Sequence, residues 1–248
     1  MALSPALVLA PHSRMRLDLR MGRVGSLVAS LKEDPDLFNR QLKVEGASTP
    51  SRVGDLLLSD AVLAGRSPGN LSVVMFLLNQ KAATAESSPD LLAAAVSLSD
   101  IPVVDHLVAA GWSPAHRPSG GMSALELAAS LANTELLKKW RAFLPGVPNP
   151  SGQNLLHKLC EQSIWSGGDE SAIETGRFLI FRGVDWCQED EAGRVPSDLL
   201  NASRSSIKEA LNETWSRHQS AVRRRGLGRV VAGSGRKVSA AKSSLPRM

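Results

Sequence analysis

Apolar residues return along the chain at helical spacing, in short runs that come in pairs. Leu27, Leu31, Leu37, Phe38 and Leu42 fall near one helical face, with Asp34-Pro35 as a punctuation point. Residues 56–63 and 71–79 predict a first pair of helices, 90–98 and 101–110 a second, and 123–142 a third. A fourth pair is predicted over 154–160 and 172–181, interrupted at 165–169, and a shorter pair over 195–203 and 207–218. Leu92 and Leu125, Ala95 and Ala128, Val103-Val104 and Leu136-Leu137, and Leu107 and Trp140 keep a step of 33 residues. One such pair cannot bury its apolar face until neighbours stack on it, so the spacing predicts an all-α helical solenoid.

The polar positions punctuate the same pattern. Asn70, Asp100 and Asn133 stand at the start of the second helix of successive units, where a side-chain oxygen can accept from the first unpaired amides. Pro102 is tolerated because a first-turn amide has no intrahelical partner, and Gly111 suits the left-handed closing position. Between the pairs lie excursions rich in Gly and Pro at 112–121 and 145–150, and an acidic one at 183–193. The reading divides the chain into a poorly ordered segment 1–25, a helical cap and loop 26–53, a repeat array 54–216 and a basic tail 217–248, disordered unless bound.

These features together resemble the ankyrin repeat family, whose unit is a β-turn followed by two antiparallel helices. The second-helix half carries the likeness best, in Gly69-Asn-Leu-Ser-Val-Val-Met-Phe-Leu-Leu78 and Asp100-Ile-Pro-Val-Val-Asp-His-Leu-Val-Ala-Ala-Gly111. Ser123-Ala-Leu-Glu-Leu-Ala-Ala129 and Asn154-Leu-Leu-His-Lys-Leu159 are degenerate copies of the first-helix start. The resemblance implies four repeats and a partial terminal one over about residues 54–215, with His157 tying its turn to the next loop. Lys81 and Leu144 replace the usual closing glycine, and residues are inserted after Cys160. Tetratricopeptide and HEAT arrays are the rival architectures, and both lack the long Gly and Pro excursions.

Composition and charge change this picture in two places. Aromatics make up 4% and tyrosine is absent, so Ala, Leu and Val must do most of the packing in thin helical layers. Cys160 and Cys187 supply neither a disulfide framework nor a zinc set, which places the protein in a reducing, cytoplasmic compartment. After Glu213 there are no acids, while Arg217, Arg223, Arg224, Arg225, Arg229, Arg236, Lys237, Lys242 and Arg247 follow. Arg14, Arg16, Arg20 and Arg23 face only Asp18 near the start, a layout open between a frayed terminus and a leader for secretion into a host cell. No apolar run reaches the ~20 residues of a membrane span.

Candidate chemistry is sparse. The metalloprotease, nucleophile-elbow and P-loop motifs are missing, no histidine pair has metal spacing, and Gly226-Leu-Gly228 lacks the preceding strand of a dinucleotide site, so no cofactor is expected. The expectation is therefore a non-enzymatic interaction protein that binds an unidentified protein partner through the concave face and turn tips of the array. Trp112, His116 and Arg117 in one tip, and Trp186, Glu189, Asp190 and Glu191 in another, have side chains suited to a partner, although both tryptophans could equally pack onto their own units. Leu98 and Leu131 extend that surface from the first helices. The alternative is an adaptor whose tail (Arg223, Arg224, Arg225, Arg229, Arg236, Lys237) holds nucleic acid or another acidic surface by counterion release.

Overall fold

The computed structural model describes residues 24–42, 50–65, 69–118, 121–144, 149–162, 165 and 167–239, with the backbone alone for 225–239. Most of the chain is helical, and the described residues hold ten α-helices. The chain forms two compact units, one of Met1–Leu131 with Glu135–Phe143, the other of Ala132–Thr134 with Leu144–Met248.

The first unit opens with α1 (Val24–Glu33), a 3-10 turn (Leu37–Asn39) and a small hairpin of β1 (Gln41–Leu42) and β2 (Ser51–Arg52). Its strands are antiparallel, with Gln41 opposite Arg52 and Leu42 opposite Ser51. Helix pairs follow: α2 (Val53–Leu63) with α3 (Asn70–Asn79), and α4 (Leu91–Ser97) with α5 (Ile101–Ala109). Next come α6 (Ala124–Ser130) and α7 (Thr134–Lys139). The first helices α2, α4 and α6 pack side by side in one layer, while α1, α3 and α5 form the other.

The 33-residue step reappears as burial. Leu92, Leu125, Ala95, Ala128, Val104, Leu137, Leu107 and Trp140 are all core residues. Ser99 and Ala132, separated by the same step, both take left-handed backbone angles (φ 54° and 53°) where the first helix gives way to the second. Second helices also end alike. The amides of Ala82, Trp112 and Val184 reach back to the carbonyls of Leu77, Leu107 and Leu179 at 3.0–3.1 Å, across left-handed Lys81, Gly111 and Gly183. This closure satisfies end carbonyls and turns the following residue inward for a hydrophobic contact. Ala82, Trp112 and Val184 are accordingly buried.

The expected caps divide. Asp100 accepts from the Val103 amide at 3.4 Å, as its position suggests. Asn70 does not cap α3; it lies inside the helix, donates Nδ2 to the Gly65 carbonyl, and leaves Oδ1 buried without a hydrogen-bond partner among the described residues.

In the second unit α8 (Leu155–Glu161) packs on α9 (Gly168–Phe181) and on a 3-10 turn (Pro196–Leu199), and α9 packs on α10 (Ser205–Ser239). The sequence reading closes the last helix at His218 and leaves the tail irregular. Instead α10 continues to Ser239, with no proline to interrupt it and despite Gly226, Gly228, Gly233 and Gly235 within its span. Residues 1–23, the span of the leader reading, lie outside the described residues.

Candidate interaction groove

The layer of first helices in the first unit carries an open groove. One stretch, about 580 Å³, lies between the hairpin, the exposed side of α2 and the loop before α4; Arg52, Leu56, Ser59, Leu63 and Pro89 line it. A second stretch, about 450 Å³, lies between α4 and α6, lined by Ser97, Pro118, Met122 and Leu127 among others. Asp90 and Ala94 belong to both, so the two stretches join. Leu63 is 59% exposed at one wall, an apolar side chain with no cover.

The walls are loops, and each is braced. Asp55 accepts from the Ser87 hydroxyl at 2.6 Å, while the Thr84 amide donates to Ser87 Oγ at 3.0 Å and the Ser87 amide to Thr84 Oγ1 at 3.2 Å. Trp112 Nε1 donates to the Ser88 carbonyl at 2.9 Å from beneath. Arg52 is held by Asn39 Oδ1 at 2.7 Å. On the other wall Arg117 donates to the Gly121 carbonyl at 3.0 Å and pairs with the buried Glu126. Glu126 Oε2 in turn accepts from the amide and hydroxyl of Ser123, completing the capping box that starts α6.

This placement corrects the site read from the sequence. Trp112 is 3% exposed and Arg117 is engaged by Glu126 and Gly121, so both support the groove from behind. The signal for Trp112 was available, since it directly follows the left-handed Gly111, the position that turns inward in such a helix end. His116 is exposed at the tip, Leu98 is exposed at the end of α4, and Leu131 is half-buried at the end of α6. Ser97 and Leu127, inside the groove, come from the same helix turns.

The acidic excursion of the second unit is likewise more structural than expected. Trp186 is 3% exposed, and its Nε1 donates to Asn212 Oδ1 on α10 at 2.8 Å. Asp190 is buried and spends both carboxylate oxygens within its own loop. Oδ1 accepts from the amides of Ala192 and Arg194 at 2.9 Å, and Oδ2 from the Arg194 guanidinium at 2.8 and 3.1 Å. Those bonds, the Arg194 side chain's first, hold the Asp190 carboxyl down at about 2. Only Glu189 and Glu191 of that set are exposed. Asn154 Nδ2 donates to the Asp185 carbonyl at 2.6 Å and its Oδ1 accepts from the Leu156 amide at 3.0 Å. His157, fully buried, lies 3.0 Å through Nε2 from the Arg194 carbonyl, which assigns the proton to Nε2 and leaves Nδ1 to accept from the Asn154 amide. It thus ties its turn to the next loop.

Of the tail residues, Arg223 and Arg224 are exposed on α10; the side chains of Arg225, Arg229, Arg236 and Lys237 lie outside the described residues. No group of three His, Cys, Asp or Glu able to hold a metal occurs among the described residues. No described helix is long and apolar enough to cross a membrane.

No family model matches the chain, and no curated protein does. Among solved structures it resembles one chain of the structure of the Bd0816 predatory endopeptidase from Bdellovibrio bacteriovorus in complex with the immunity protein Bd3460. The similarity has a TM-score of 0.56 at 20% identity and covers 80% of this chain and 96% of the matched chain. At that identity it speaks for the fold. That solved structure holds an endopeptidase beside an immunity protein, so the expectation of a non-enzymatic protein is withdrawn.

Proposed function

We propose that the chain is a divergent ankyrin-type array whose first-helix groove binds an extended segment of a protein partner. The observation that carries this reading is the continuous groove of the first unit, with apolar Leu63 uncovered and walls fixed by Trp112 and Arg117. A pre-braced groove loses little conformational freedom on binding, and this favours affinity. The 33-residue recurrence of core positions and left-handed turns supports the ankyrin assignment. The similar solved structure supports protein binding, since each chain of that complex engages the other. A photo-crosslinking residue at Ser59 or Ser97 tests it, with Met75 on α3 as the outer-layer control. Crosslinks to one protein partner from the groove positions alone are expected; equal yields from Met75 would remove the groove from the account.

A second reading, peptide-bond hydrolysis, rests on the endopeptidase in that same complex. Of the two cysteines, Cys160 is buried with its thiol pushed up to about 12 by burial and by Glu161, and Cys187 is exposed. Turnover of a quenched peptide library by the wild type, lost in Cys187→Ser, would favour a thiol enzyme. No turnover would leave protein binding as the activity to pursue.

A further inference from the structure

A second surface lies in the other unit, where α9 and α10 run side by side in the same direction. Asp169 meets Arg204 near their starts, Gly176 faces Leu211 midway, and Phe181 faces His218 at the end of α9. Along α10 the packed stripe is Ile207, Leu211 and Thr214, all buried. It continues as half-buried Trp215 and His218 and then as Val222, 50% exposed, four residues past the level at which α9 ends. Phe181 is 62% exposed. The rings are gathered together: His218 lies 5.8 Å from Phe181 edge-on and 6.1 Å from Trp215 in a stacked arrangement. Arg182 stands 5.4 Å over the Phe178 ring.

An exposed Phe and a half-buried Trp beside Arg is the composition of a binding hot spot, not of an ordinary helix surface. The rim is predominantly basic, with Glu174 and Asp185 as the exposed acids of the same stretch. Arg177 is exposed on α9 and Arg182 directly after it, and Arg223 and Arg224 are exposed one to two turns beyond the rings. The nearest described carboxylate on α10, Glu213, is already paired with Arg217 at 2.5 Å, and no acid follows it in the chain. Because Trp215 stacks on His218 and Phe181 meets His218 edge-on, the rings do not form a row of separate platforms for stacked bases. We infer that the Phe181, Trp215 and His218 cluster with its arginine rim docks an acidic protein segment carrying an apolar anchor. The anchor seats on the rings and the acids pair with Arg177 and Arg182.

The test uses the full chain and a labelled peptide of glutamates interrupted by leucines, with an all-glutamate peptide and oligo(dT) as competitors. Binding should weaken about tenfold in Phe181→Ala and in Arg182→Gln, with the fold retained by circular dichroism, since both side chains are exposed. It should also weaken as salt is raised. Equal affinity for the leucine-free peptide, or unchanged binding in Phe181→Ala, would assign the affinity to the basic tail and overturn the docking surface. Preferred binding of oligo(dT), or a Phe181-dependent dimer with no peptide binding, would overturn it in favour of nucleic acid or of a second copy. Groove variants of the first unit should leave this binding unaltered, so it stands or falls apart from the proposed function.

Discussion

Asp190 illustrates how a surface-looking acid becomes a structural one. Its carboxylate is fixed by Arg194 and by two amides, and its pKa drops from 3.8 to about 2. A depressed folded-state pKa contributes stability that is full above the unfolded value and is lost as pH falls through the folded one. The stability gap between wild type and Asp190→Asn should therefore be constant above about pH 4 and shrink between pH 4 and 2, followed by urea unfolding. A gap independent of pH would remove the charge from the explanation. The cysteines make a second contrast at this scale. With its thiol raised to about 12 and buried, Cys160 should resist iodoacetamide in the folded protein while exposed Cys187 reacts. Mass spectrometry should find one adduct before unfolding and two after.

Helix ends explain both what could be read in the sequence and what could not. The stacked core was legible because Leu92 and Leu125, or Leu107 and Trp140, repeat at a fixed step and every one of them is buried. Asp100 was legible as a cap, but Asn70 was not, because an asparagine beside Gly65 can satisfy a loop carbonyl as readily as a helix amide. Trp112 and Trp186 were offered to a partner on residue type. Trp112 is buried because it directly follows left-handed Gly111, whereas Trp186, three residues past Gly183, is held by its indole N–H on Asn212 of α10. The hairpin strands hold two residues each, too few for any alternation to show. Left-handed closure also sets the energetics. Lys81 adopts φ 52° where Gly183 adopts φ 89°, and a side chain there costs roughly 1–2 kcal/mol. Gly183→Ala should destabilise by about that amount, while Lys81→Gly should stabilise by up to about 1 kcal/mol once its unfolded-state entropy is counted. Opposite shifts in the unfolding midpoint are the check; equal signs would mean the turns do not share one geometry. Gly54 is tighter still, since an added Cβ would collide with the Ala82 carbonyl.

At the scale of the molecule, the proposed binding surface is the groove of the first unit and not the loop tips read from the sequence. The sequence reading assigned the largest side chains of the excursions to the partner, whereas the structure uses Trp112 and Arg117 as braces and lines the groove with Leu63, Ser97 and Met122. The central claim is that this groove is the binding surface and the braces only shape it. Calorimetric titration of the crosslinked partner, once isolated, against wild type, Leu63→Glu and Ser97→Arg tests it most directly. The account predicts at least about tenfold weaker binding for both variants with an unchanged unfolding midpoint, because both side chains are exposed. Wild-type affinity in both would contradict it.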